Sequence, residues 1–182
     1  MSGISRQTSA EEIAARVSQA LERAGIAATL SGGAAVSIYS HNEYESFDLD
    51  FITNARNEAL AKAMAELGFR RVPGARAFDH PESDICVEFP PGPLAFGETV
   101  VSEREAPLLQ TDFGPLRVVT PTQSIMDRLA AYVHWNDRQA LDQAIMVARR
   151  QRIDWSALEA WARREAGDAS LIDRLRQSSG QG

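Results

Sequence analysis

The segment Phe47-Asp48-Leu49-Asp50-Phe51 alternates apolar and acidic residues with period two, the pattern of a β-strand with one face in a core and the other outside it. On such a strand Asp48 and Asp50 share a face, while Phe47, Leu49 and Phe51 point into the core. Two carboxylates held side by side repel each other unless a cation lies between them. Hard divalent ions, chiefly Mg²⁺, are what oxygen donors of this kind select. A plain exposed edge strand would give the same alternation, but it leaves the glycine pair upstream unexplained.

That pair is Gly32-Gly33, at the end of the apolar run Ala27-Ala28-Thr29-Leu30 and ahead of Ala34-Ala35-Val36-Ser37-Ile38-Tyr39. The first run predicts a short strand and the second the first turns of a helix, so the glycines fall at a sharp strand-to-helix turn. Glycine tolerates positive φ and lets backbone N–H groups approach a phosphate, to which the helix dipole adds. Ser31, Gly32 and Gly33 are therefore the predicted phosphate cradle. A phosphate cradle combined with a two-carboxylate metal site is a phosphoryl-transfer constellation.

Gly-Gly followed at this distance by Asp-hydrophobic-Asp resembles the core signature of the DNA polymerase β-type nucleotidyltransferases, which move an NMP from an NTP to an acceptor. The resemblance implies an α+β fold, a nucleotidyltransferase-type mixed β-sheet flanked by helices and followed by a C-terminal helical bundle. It also implies a third acid on a neighbouring strand, acting as a base toward the acceptor hydroxyl or as a metal ligand. Ile85-Cys86-Val87-Glu88-Phe89 supplies Glu88 for that place, a glutamate where the family more often has aspartate, with Asp84 as the alternative.

The stretch Thr120-Pro121-Thr122-Gln123-Ser124-Ile125-Met126-Asp127-Arg128-Leu129 resembles the entry to the helical half of AbiEii-type nucleotidyltransferases, MenT-like toxins included. The resemblance places Arg128 where those proteins carry a lysine that offsets phosphate charge; a guanidinium keeps the charge and changes the geometry. Their second acidic motif has two aspartates three apart on the next helix. Here Asp142 matches one, Gln139 stands at the other, and Asp137 is a substitute for it.

A chain of 182 residues with 44% hydrophobic and 24% charged residues has the composition of a globular domain with a sizeable core. No apolar run of about eighteen residues and no leader-like segment is present, which excludes a membrane-spanning helix and leads us to expect a cytoplasmic protein. Cys86, the sole cysteine, reads as a small buried strand residue. The net charge of −6 argues against a general nucleic-acid binder. Arginines nevertheless gather at Arg149, Arg150, Arg152, Arg163, Arg164, Arg174 and Arg176, as a solvated helix surface or a local phosphate track. His134, Trp135 and Trp155 read as helix-packing residues, with stacking on a base as the functional alternative for the first two.

Ser9 and Glu12 in front of Ile13, Val17, Ala20 and Leu21 predict a capped helix ending at Gly25. Another helix is expected over Asn57 to Leu67, then short strands around Pro73-Gly74, at 85–89, at Val100-Val101, at 107–109 and at 116–119. Helices follow from Pro121, from Arg138 to Arg149 and from Trp155 to Arg164. The expected organisation is a core over 1–119, a helical region over 120–177 and a disordered tail over 178–182.

These features predict a Mg²⁺-dependent nucleotidyltransferase using two ions, with NTP as substrate. Asp48, Asp50 and Glu88 form the metal site, Ser31, Gly32, Gly33 and Asp142 hold the nucleotide, and Arg128 stabilises the transition state. The resemblance implies a tRNA or protein acceptor, a toxin-like role and an antitoxin partner, with no membrane involvement. Two alternatives stand beside it. One is a transferase acting on a small antibiotic-type molecule through a cleft lined by Glu43, Tyr44 and Glu45; the other is a catalytically silent binding module on the same fold.

Overall fold

The computed structural model describes residues 3–166 and 169–180. It is an α+β protein whose chain groups into two compact units. The first comprises 1–34, 46–94 and 101–119; the second comprises 35–45, 95–100 and 120–182.

The first unit is organised by a five-stranded mixed sheet. Its strands are β1 (Thr29–Ser31), β2 (Asp48–Ile52), β3 (Arg70–Arg71), β4 (Ala77–Asp79) and β5 (Cys86–Glu88), in the order β1-β2-β5-β4-β3. β2 runs antiparallel to β1 and parallel to β5. The remaining pairs are antiparallel. A parallel neighbour cannot be reached through a tight hairpin. The chain between β2 and β5 accordingly carries α3 (Asn57–Glu66) and the β3–β4 hairpin.

Helix α1 (Ala10–Arg23) begins where Ser9 Oγ accepts the Glu12 N–H at 3.2 Å. The Glu12 carboxylate is taken by Arg16 at 2.5 Å. Ile13, Val17, Ala20 and Leu21 are buried, as their helical spacing requires. α1 packs on β9 (Gly114–Arg117), which pairs with β8 (Leu108–Thr111). Arg117 ties this ribbon down through Glu22 at 2.7 Å and the Ala106 carbonyl at 2.7 Å. The sheet's apolar face is filled by Leu49, Phe51, Val87 and Phe89, with Phe78 edge-on to Phe89 at 5.5 Å between centroids.

Phe47 departs from the expected inward alternation. It is 61% exposed and lies one residue ahead of β2, although its carbonyl accepts the Cys86 N–H at 3.0 Å. Among the strands, β6 (Leu94–Phe96) is not signalled by the sequence. It pairs with β7 (Thr99–Val101), and its short Leu-Ala-Phe run follows a proline-rich break.

α2 (Gly32–Tyr39) starts in the first unit and ends in the second. The second unit is built on α4 (Pro121–Trp135), α5 (Arg138–Arg150), α6 (Trp155–Glu165) and α7 (Ser170–Ser179). α4 opens on a complete capping box between Thr120 and Gln123, with Pro121 at the first turn. α5 is capped by Asp137, whose carboxylate accepts the N–H groups of Gln139 and Ala140. That occupies the aspartate proposed to stand in for the second acidic motif.

α7 takes in Ser178 and Ser179, the first residues of the expected tail; Gln181 and Gly182 lie outside the described residues. Trp161 is the fully buried indole of this unit, and its Nε1–H donates to the Phe96 carbonyl at 3.0 Å. Trp135, expected to pack between helices, is instead 77% exposed at the end of α4. Trp155 lies under the Arg176 guanidinium, 4.9 Å from the ring centroid. His134 makes a polar contact, its Nε2 3.4 Å from Glu165 Oε2. The Glu165 carboxylate, only 2% exposed, also accepts the Glu98 N–H at 2.8 Å. Gly97 sits there because a Cβ would collide with that carboxylate. Among the described residues no helix is long and apolar enough to cross a membrane.

Candidate functional site

Three adjacent strands of the first unit carry the candidate site, and their register dictates which side chains meet. Ser31 of β1 is opposite Asp50 of β2, and Asp50 is in turn beside Glu88 of β5. Asp48 is beside Cys86. Residues two apart on a strand share a face, and directly paired residues point the same way. Asp48, Asp50, Cys86 and Glu88 are therefore the corners of a small grid on one face of the β2–β5 pair. Leu49 and Val87, between the corners, are buried beneath it.

The sequence expectation of a third acid beside the Asp-Leu-Asp pair thus has a definite geometry: Glu88 is in register with Asp50. Asp84 is exposed ahead of β5 and lies outside this grid. Asp48 and Glu88 are exposed, whereas Asp50 is half-buried. The difference comes from Gly32, whose φ is +66° and whose Cα lies so close to Asp50 that a Cβ would sit 2.8 Å from Oδ2. Gly32 must be glycine, for both the positive φ and the close approach. Gly33 and the residues after it continue as α2, so the strand-to-helix turn predicted at this pair is present.

Cys86 is the corner that the sequence reading did not assign to the site. Its Sγ lies within 4.8 Å of ligand oxygens of Asp48 and Glu88, and those two lie within the same distance of each other. Burial pushes the Cys86 thiol up to about 12, assisted by a hydrogen bond to Asp79 and by the charges of Asp79, Glu88 and Asp48. Without a cation it is a neutral thiol in acidic surroundings. The signal that would have placed it there is its spacing: Cys86 precedes Glu88 by two residues on a strand, just as Asp48 precedes Asp50.

The oxygen donors Asp48, Asp50 and Glu88 have the chemistry for a hard divalent ion. The corner made by Asp48, Cys86 and Glu88 does not have that chemistry, because it includes a sulfur.

The remaining predicted residues belong to the second unit. Arg128, on α4, donates from Nε and a terminal nitrogen to Asp127 Oδ2 at 3.1 and 2.5 Å, and from the other terminal nitrogen to Gln143 Oε1 of α5 at 3.3 Å. Asp142 is exposed on α5. In the arginine group, Arg150 is paired with Glu43 at 3.2 Å, and Arg163 and Arg176 both reach Glu159. Arg149 donates to the Ser178 carbonyl.

Comparison of the sequence with protein-family models and with curated proteins gives no match. Two solved structures of the antibiotic-resistance factor ANT(2'')-Ia align with the chain. Its solution structure, described with substrate-regulated conformation dynamics, is 14% identical over 90% of this chain and 86% of that chain, with a TM-score of 0.49. Its crystal structure in complex with adenylyl-2''-tobramycin is 15% identical over 91% of this chain and 94% of that chain, with a TM-score of 0.47.

Proposed function

We propose that the chain is a divalent-metal-dependent nucleotidyltransferase that moves an NMP from an NTP to an acceptor hydroxyl. The observation that carries this reading is the row Ser31, Asp50 and Glu88 across three strands, with Asp48 two residues along and the Gly32-Gly33 turn beside it. Three carboxylates on one sheet face repel one another, and a charged substrate with its cation relieves that repulsion.

In this mechanism the backbone N–H groups at the start of α2 take the β- and γ-phosphates of the NTP. Asp48 and Asp50 would hold the ion that accompanies the triphosphate, and a divalent ion bound there would neutralise phosphate charge and lower the pKa of an attacking hydroxyl. The acceptor oxygen bonds to the α-phosphorus as the bond to pyrophosphate breaks, and Glu88 either accepts the acceptor's proton, which otherwise leaves to solvent, or serves as a metal ligand. Arg128 is assigned to joining α4 and α5, since its guanidinium already serves Asp127 and Gln143.

The macromolecular acceptor, tRNA or protein, and the toxin-like role with an antitoxin rest on the resemblance of the 120–132 segment alone. A small-molecule acceptor is the second reading, and the Arg150–Glu43 pair bears on both, since it engages an arginine of the basic group and a carboxylate of the expected Glu43-Tyr44-Glu45 cleft. Incubation of the protein with Mg²⁺ and each α-labelled NTP, together with total tRNA or with an aminoglycoside, tests both. Label on RNA or protein supports the first acceptor class and label on the small molecule the second. No labelled product with any nucleotide overturns the assignment as an enzyme.

A further inference from the structure

Magnesium is bound through oxygen, yet one corner of the acidic grid is a thiol. We infer that Asp48, Cys86 and Glu88 form a site for a borderline divalent ion of the zinc class, held by one sulfur and two carboxylate oxygens. The inference rests on reading this sheet face as a cation site and not on the nature of the acceptor.

The register makes the three donors converge. Asp48 and Cys86 are direct neighbours across the parallel β2–β5 pair, and Glu88 follows Cys86 on the same face. Their ligand atoms lie within 4.8 Å of one another. Bonds of about 2.0–2.3 Å in a tetrahedral centre put ligand atoms roughly 3.5 Å apart, so contraction by about an ångström closes the site. Asp48 and Glu88 are exposed. Asp50 is placed differently, with its carboxylate against Gly32.

Donor chemistry then decides the ion. Thiolate favours zinc-class ions, whereas Mg²⁺ is matched by carboxylate and water. Three protein ligands leave a position open, the arrangement of a catalytic rather than a closed structural centre. On ligation the Cys86 proton leaves to solvent as the sulfur–metal bond forms. Asp48 lies on the edge shared with Asp50, so the grid has room for two unlike ions: a hard one toward Asp50 and the phosphates, a borderline one toward Cys86.

Titration of metal-free full-length protein with Cd²⁺ tests the inference through the ultraviolet thiolate-to-cadmium charge-transfer band. A band that saturates at one equivalent, persists in a large excess of Mg²⁺ and is displaced by Zn²⁺ is the expected result. Cys86→Ser abolishes the band. Asp48→Asn and Glu88→Gln keep the cysteine but weaken Cd²⁺ binding by about tenfold or more each. Absence of the band in the wild-type protein overturns the inference, and so does wild-type Cd²⁺ affinity in both carboxylate variants, since the thiol would then bind alone. Mg²⁺-NTP binding is measured in parallel by calorimetry. Retained Mg²⁺-NTP binding without a cadmium band removes only the sulfur site, whereas a band without nucleotide binding removes only the transferase reading.

Discussion

Asp48 and Asp50 owe their shared face to strand geometry, and the chemistry proposed for them depends on charge rather than shape. Asp48→Asn and Asp50→Asn preserve volume while removing a negative ligand. Each is expected to lower NMP transfer by roughly 10²-fold or more, the scale of losing an electrostatic stabiliser, with circular dichroism unchanged. Turnover within a few-fold of wild type in either variant would remove it from the site. The glycine pair separates in the same way. Gly32→Ala places a Cβ 2.8 Å from Asp50 Oδ2 at a φ of +66°, so it should cost about 1–2 kcal/mol in backbone strain and displace Asp50 as well. Gly33→Ala, inside α2 and without positive φ, should be tolerated. Calorimetric titration with Mg²⁺-NTP distinguishes the two, and equal affinity in both variants would place the phosphates elsewhere. The sequence pointed to both glycines equally, because the close approach of Asp50 to Gly32 depends on the pairing of β1 with β2.

At the scale of elements, most of the helices were legible because they carry their own start signals. Thr120, Pro121 and Gln123 form a local device whose hydrogen bonds span three residues. Thr120→Ala is expected to cost about 1 kcal/mol and to lower Tm by roughly 2–4 °C, as differential scanning calorimetry would read. α7 and β6 were not legible: the first lacks a side-chain cap, and the second is three residues long. Arg128 already has partners within the helical unit. Sequence likeness assigns it to phosphate charge, yet its partly buried pairing with Asp127 and its bond to Gln143 make it a brace between α4 and α5. Arg128→Ala should therefore cost on the order of 1–2 kcal/mol of stability while kcat changes by less than about tenfold. A larger fall in kcat at unchanged Tm would return Arg128 to the chemistry.

For the whole molecule, the acidic grid couples ligand binding to stability. A ligand bound by the folded state alone at a hundredfold excess over its Kd adds about 2.7 kcal/mol, which raises the Tm of a chain this size by roughly 5–10 °C. Mg²⁺ with a non-hydrolysable NTP should produce that rise, a chelator should reverse it, and Asp48→Asn should be insensitive to both. A shift unaltered in that variant would mean that the ligand binds elsewhere. The sequence by itself determined the α+β character, the acidic face of β2, the strand-to-helix glycines and the helical C-terminal region, because periodicity and capping act within a few residues. The family resemblance named the strand of Glu88 as a neighbour of β2, and tertiary structure alone decided the direction and register of that pairing. That choice aligns Glu88 with Asp50 and brings the Cys86 sulfur to the carboxylates, while Phe47 lies outside the strand and exposed. Parallel pairing joins residues more than thirty positions apart through backbone hydrogen bonds common to every residue type, and local sequence therefore carries no mark of it.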